Sequence, residues 1–225
     1  MRRCFLTVTL CLLSSIASAA PLVTSEFNSN REGWSATFGA AVGIGAIWQS
    51  TGGNPSGNLV APDSAAGTLT WYFDAAAGDG SPLLGNQSAA YGGSFEYDMK
   101  IDSFAGNYYN TASDFDVWLV GNGFTLLYRG PFQPDQNWNH FSVPLVASAG
   151  WEKNLFFPAT TPASEAELQA ALSNITELRI RGNYTDAATT TRLDNVSFVA
   201  VPEPASSALA AFGMLAILAV KRRNG

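Results

Sequence analysis

The chain has 225 residues, 47% of them hydrophobic and only 13% charged, with twelve Lys and Arg against eighteen Asp and Glu. Residues 21–200 carry seven basic side chains (Arg31, Lys100, Arg129, Lys153, Arg179, Arg181, Arg192) and seventeen acidic ones. That net −10 repels nucleic acid and anionic membrane, while it suits divalent cations and neutral glycans.

The N-terminus reads as a secretory signal. Arg2 and Arg3 form a basic start, residues 5–16 are apolar, and Ala17-Ser18-Ala19 supplies the small-x-small pattern of a signal-peptidase site. Cleavage after Ala19 or Ala20 sets residues 1–20 aside as signal peptide and 21–200 as the mature domain. Both cysteines, Cys4 and Cys11, leave with the signal, and neither stands at a lipobox position. The mature chain therefore has no disulfide, no thiol chemistry and no Cys-ligated zinc.

From there the pattern is all-β. Segments 68–74 (TLTWYFD), 94–101 (SFEYDMKI), 115–120 (FDVWLV), 124–129 (FTLLYR) and 138–145 (WNHFSVPL) are rich in aromatic and β-branched residues and punctuated by Gly, Asn, Asp and Ser. In 94–101, Phe95, Tyr97, Met99 and Ile101 share one face and Glu96, Asp98 and Lys100 the other, the period of a half-buried antiparallel strand. Gly121-Asn122-Gly123 tolerates positive φ and predicts a tight hairpin. Ser164 with Glu167 three residues on forms a capping box, and Leu168, Ala171 and Leu172 give the apolar stripe of one short helix ending near Ser173-Asn174. Strands at 176–180 and 193–199 close the domain. About ten strands and one helix in this length predict an antiparallel two-sheet sandwich or jelly roll. The longest loops fall at 102–114 and 75–92.

The tail has three parts: Val201-Pro202-Glu203-Pro204, an apolar run over 205–220, and the basic stop Lys221-Arg222-Arg223. As a helix the run spans about 24 Å, slightly short of a ~30 Å hydrocarbon core, and the cations hold its end on the cytoplasmic side. An ordinary C-terminal membrane anchor has the same helix and stop. The order of motif, helix and basic stop resembles the PEP-CTERM sorting signal of Gram-negative bacteria, with Pro202, Glu203 and Pro204 as the motif. The resemblance implies recognition by an exosortase, passage through an inner-membrane precursor held by 205–220, and release or transfer outside the cell.

A second resemblance covers nearly all of 26–199. Phe27-Asn28 and Gly33-Trp34 open the series, followed by Trp71-Tyr72-Phe73, Leu84-Gly85-Asn86-Gln87-Ser88 and Tyr91-Gly92-Gly93. Val117-Trp118-Leu119, then Trp138 with Val143-Pro144-Leu145 and Gly150-Trp151, continue it. Leu178-Arg179-Ile180-Arg181-Gly182-Asn183-Tyr184 and Arg192-Leu193-Asp194-Asn195-Val196 complete it. In order and spacing this is similar to the laminin type IV (laminin B) domain. The resemblance implies a galactose-binding-like jelly roll that serves as a non-catalytic extracellular module. It also implies one structural calcium where first and last strands meet, held here by Glu26, the Gly53-Asn54 turn and Asp194.

Catalysis has little to stand on. His140 is the only histidine, without a nucleophile-elbow sequence, and it shares a strand face with Trp138 and Ser142. Carboxylate pairs such as Asp74 with Asp98, or Asp114 with Asp116, are the remaining route to a polysaccharide hydrolase. No catalytic residue is assigned.

Glycan binding needs aromatic faces beside amides and carboxylates. Trp34, Trp71 and Trp118, inside dense apolar segments, read as core. Tyr108 and Tyr109, between Asn107 and Asn110 in a loop, suit a stacking platform, with Trp48 and Trp151 as further candidates. The sequence thus points to an exported matrix protein that binds exopolysaccharide or another extracellular glycan. A purely structural, self-associating matrix protein is the alternative, and a hydrolase comes third.

Overall fold

Alternating inward and outward side chains build two antiparallel sheets facing each other. The computed structural model describes residues 20–38, 41–43, 45–62, 71–102, 106–108, 114–156 and 159–201. The tail beyond 201, the signal region and Tyr109 lie outside the described residues. Residues 20–201 form one compact unit. Among the described residues no helix is long and apolar enough to cross a membrane.

The strands in chain order are β1 (Pro21–Ser25), β2 (Trp34–Phe38), β3 (Ala41–Gly43), β4 (Ile47–Gln49), β5 (Asn58–Pro62), β6 (Trp71–Ala76) and β7 (Ser94–Ile101). They continue as β8 (Val117–Gly121), β9 (Phe124–Tyr128), β10 (Asn139–Pro144), β11 (Glu152–Phe156), β12 (Ala159–Pro162), β13 (Ile175–Arg181) and β14 (Thr190–Val199). The single α-helix, α1 (Glu165–Leu172), precedes β13. One sheet runs β10-β7-β14-β5-β4, with β1 also paired to β14, and the other runs β12-β11-β9-β8-β13-β6-β2-β3.

The predicted alternation of β7 holds. Phe95, Tyr97, Met99 and Ile101 are buried in the core, with Phe95 packed on Phe198 of β14 at 5.0 Å between ring centroids. From the facing sheet come Trp34, Trp71 and Phe73, the last two edge to face at 5.2 Å. Between β8 and β9, Asn122 (φ 46°) and Gly123 (φ 79°) form the hairpin turn, with Gly121 opposite Phe124. The helix begins with the full capping box: the Ser164 hydroxyl accepts from the Glu167 N–H, and the Glu167 carboxylate accepts from the Ser164 N–H. Its buried side chains are Leu168, Ala171 and Leu172. β11 and β12, absent from the sequence reading, add a hairpin beyond β9 in the eight-stranded sheet.

One irregularity matters for function. The β14–β7 ladder slips between Asp194 and Ser197, and Asn195 takes φ 49°. A bulge of this kind re-aims side chains. It leaves Asp194 buried while turning the Asn195 amide onto Asp98.

Candidate functional site

Three connections meet around Tyr108 at one end of the sandwich. Its backbone forms an isolated antiparallel bridge with Thr185, and its hydroxyl donates to the Pro134 carbonyl at 3.0 Å, leaving the residue 38% exposed. Beside it the chain between β9 and β10 is tied down by Asp135. That carboxylate accepts from the Asn137 N–H at 2.7 Å and from Asn139 Nδ2 at 2.8 Å, and the Asp135 carbonyl takes the Ile101 N–H. Across the junction the Asn107 N–H donates to Asp186 at 2.7 Å. The result is an open cleft of about 320 Å³ lined by Tyr108, Asp135, Gln136 and Asn137. An aromatic ring beside a carboxylate and two amides can stack on the C–H face of a sugar and read its hydroxyls. The hydrogen bonds from the two asparagines hold the Asp135 carboxyl below its ordinary range, so it stays an acceptor.

A second cluster forms where the first and last strands pair. β1 lies against β14 with Ser25 opposite Val196, which carries Glu26 toward Asp194. Asp194 is 1% exposed, and its two oxygens accept the backbone N–H groups of Asn54 (2.6 Å) and Asn195 (2.8 Å). Burial, then the charges of Asp98 and Glu26, push its carboxyl up to about 6. The loop around it has no room for side chains. A Cβ on Gly53 would strike the Gly57 carbonyl and Asp194, and one on Gly57 would strike the Phe27 carbonyl. Carbonyl oxygens and a buried carboxylate crowded together are the donor chemistry of calcium. Asn54 faces the cluster as a donor, its N–H on Asp194 and its Nδ2 on Asp98 at 3.1 Å. Among the described residues no three His, Cys, Asp or Glu side chains converge as metal ligands, so any cation at this cluster would need backbone oxygens as well.

The sequence signature of the Laminin B (Domain IV) family matches residues 81–211, more than half of the chain. The chain belongs to the laminin B (domain IV) family. A PEP-CTERM protein-sorting motif matches residues 200–223 and implies exosortase-dependent sorting to the cell surface or the extracellular space. The L4b domain of human laminin α-2 superposes with a TM-score of 0.60 at 12% identity, covering 82% of this chain and 100% of that one. The family 11 carbohydrate-binding module from Clostridium thermocellum, solved with a β-1,3-1,4-mixed-linked tetrasaccharide, gives 0.53 at 15% identity over 80% and 95%. A solution structure of the C. thermocellum module CtCBM11 gives 0.55 at 14% identity over 84% and 100%. At these identities the likeness is one of fold, an antiparallel two-sheet jelly roll. No curated protein matches the chain.

This laminin B domain places the other sequence candidates differently. Trp151 is 1% exposed, packs 5.3 Å from Tyr128 and donates Nε1–H to the Pro144 carbonyl, so it is a core residue and no stacking platform. Trp48 is half-buried and donates to the Phe27 carbonyl at 2.6 Å, bracing the loop beside Asp194. Trp34 and Trp71 are core, as expected, but Trp118 is not. Val117 and Leu119 take the inward positions of β8, which turns Trp118 outward against Tyr72 (5.6 Å) with the Arg179 guanidinium 5.3 Å from its ring. Asp74 and Asp98 sit in different sheets, so they cannot flank one glycosidic bond. Asp114 and Asp116 are buried, and Asp116 accepts the Gly130 N–H. His140 is exposed on the outer face, with Nδ1 2.8 Å from Asp98 and Nε2 3.4 Å from Glu96. The cleft partners Asp135, Gln136 and Asn137 were missed. Their one signal was a polar P-D-Q-N run between two strands.

Asp74, on the outer face of β6, has its carboxyl raised to about 6, first by burial and then by the charge of Glu177, with Arg179 opposing. A pKa raised in the folded state contributes stability that is present below about pH 4 and lost as pH rises through 6. Asp74→Asn should therefore raise the unfolding free energy in urea at pH 7.5 by about 1–2 kcal/mol after solvent screening, and leave it unchanged near pH 4. A loss at pH 7.5 would show that Arg179 compensates the charge.

Proposed function

We propose that this is a non-catalytic glycan-binding module of extracellular material, working on the exopolysaccharide or cell-surface polysaccharide around the cell that exports it. The observation that carries the reading is the Tyr108 cleft, an exposed aromatic framed by Asp135, Gln136 and Asn137. The fold shared with carbohydrate-binding modules supports it as fold alone. In this reading a signal peptidase removes residues 1–20 and the 205–220 helix holds an inner-membrane precursor. An exosortase of a Gram-negative host then acts at Pro202, Glu203 and Pro204. Calcium occupies the Asp194 cluster, with Glu26 and the carbonyls of the Gly53–Gly57 loop, and fixes the junction of β1 and β14.

The test is an isotherm of the exported protein with the host's exopolysaccharide, in calcium and again in chelator. Saturable binding that falls at least tenfold in Tyr108→Ala, with an unchanged melting curve, supports the reading; unchanged binding in that variant removes the cleft from it. Chelator should lower the melting temperature, because a cation that binds only the folded state stabilises it by mass action. Equal melts with calcium and with chelator would set the metal aside. For the tail, replacing Pro202, Glu203 and Pro204 with alanine should trap the protein in the membrane fraction, whereas undiminished release would show the motif is not read.

A structural, self-associating role is the second reading, favoured by the exposed apolar pair Leu155 (58%) and Phe156 (83%) on β11. Concentration-dependent assembly that Phe156→Ser abolishes, together with no glycan binding, would move the conclusion there.

A further inference from the structure

The Tyr108 cleft carries a fixed sign of charge that its glycan reading does not use. Its lining of Tyr108, Asp135, Gln136 and Asn137 holds one charged residue, Asp135, and a second carboxylate, Asp186, accepts from Asn107 next to Tyr108. Among the described residues neither is paired with a cation. Amide donors satisfy both: Asn137 and Asn139 for Asp135, the backbone and side chain of Asn107 (2.7 and 3.4 Å) for Asp186. Both carboxyls are held below their ordinary range by those hydrogen bonds and stay ionised. The described cations nearest these residues in the chain are engaged: Arg129 donates from Nε to the Asp114 carbonyl at 2.9 Å, and Arg181 lies 3.6 Å from the Asp114 carboxylate. Lys100 lies 3.6 Å from Asp102 and over the Trp138 ring. Arg192 donates to both Asp102 oxygens at 2.7 and 2.8 Å, and to Gln49 and Asn58. Tyr108 is thus a π face with uncompensated negative charge beside it, an environment that attracts an ammonium group and repels a carboxylate or sulfate.

We infer that the Tyr108 cleft selects glycans bearing free amino groups and discriminates against acidic ones, so that its ligand class is hexosamine polymers with unacetylated amines. The inference rests on the glycan-binding reading of the same cleft. In a partly screened site one such charge contact at close range changes affinity by roughly tenfold, and it fades at high ionic strength.

The experiment uses the exported protein with three oligosaccharide sets of matched length: glucosamine oligomers, their N-acetylated counterparts and uronic acid oligomers, each at low salt and at high salt. Glucosamine oligomers should bind about tenfold tighter than the N-acetylated set at low salt, and uronic acid oligomers weakest. The gap should close at high salt and in Asp135→Asn with Asp186→Asn, which keep one acceptor oxygen each and remove the charge. Tyr108→Ala should weaken the glucosamine and N-acetylated sets together. Equal or tighter binding of uronic acid oligomers would overturn the charge selectivity while leaving glycan binding in place, and so would an amine preference that survives the double Asp135→Asn, Asp186→Asn substitution. No binding of any set, nor of the host's polysaccharide, would overturn both readings at once.

Discussion

Gly182→Ala should destabilise the domain by about 3 kcal/mol or more, lowering the melting temperature by roughly 6–12 °C in a chain of this size. The glycine follows β13, and its N–H donates to the Trp71 carbonyl at 2.9 Å. A Cβ there would enter the Trp71 ring, closer than the 3.0 Å that real Cβ atoms keep. The indole cannot yield. It is 0% exposed and stands edge to face on Phe73. Interiors packed at this density answer an added methyl by backbone shift or off-rotamer strain. The check is a thermal melt of Gly182→Ala beside the doubly substituted Gly182→Ala, Trp71→Leu protein. In the pair, the alanine should cost much less than it does alone. A melting temperature unchanged by Gly182→Ala alone would mean the indole has space to move.

Arg181→Met should be comparably severe. Arg181 is 1% exposed, donates from Nε to the Asn183 carbonyl, lies 3.6 Å from Asp114 and sets its guanidinium 4.7 Å from the Tyr184 ring. Asp114 and Asp116 are buried beside it. Removing one partner of a buried ion pair typically costs 3–5 kcal/mol, because the remaining charge is stranded. The pH dependence separates this cause from lost packing. Burial already raises the Asp116 carboxyl, and Arg181 opposes that rise. Without the arginine the folded pKa climbs further above the unfolded value. The variant then recovers stability as pH falls and loses it as pH rises through that higher pKa. Urea midpoints should therefore converge with the parent protein as pH falls toward about 4, the unfolded carboxyl value. Adding Asp114→Asn and Asp116→Asn should restore much of the deficit at neutral pH. A deficit independent of pH would assign the loss to packing alone.

Local chemistry was what the sequence carried best. The alternation of β7, the Asn122-Gly123 turn and the Ser164–Glu167 box each rest on contacts within a few residues, and each formed as read. What failed depended on partners far away in the chain. Trp151 precedes polar Glu152-Lys153 and looks exposed until the Pro144 carbonyl and Tyr128 receive its indole. Trp118 sits in an apolar run, yet only the register of β8 between β9 and β13 decides that it faces outward. The hairpin of β11 and β12 mixes charged and apolar residues without a clean period. For the candidate site, Tyr108 was legible as an aromatic among amides. Its partners were not, because Asp135 reaches it only through the chain connecting β9 to β10. The cluster at Glu26 and Asp194 became legible through resemblance, since no local pattern links residues so far apart in sequence.

The pairing of β1 with β14 has a temporal side. Pro21 stands opposite Val199, so β1 joins its sheet only once β14, the last strand, is present. In a chain threaded outward from its amino end, β1 waits unpaired until nearly everything else has crossed. Closure of the sheet then coincides with arrival of the motif at 200–223. Completion of the sheet and the 200–223 match are thus neighbouring events along the chain, and a truncation that removes β14 strands β1 as well.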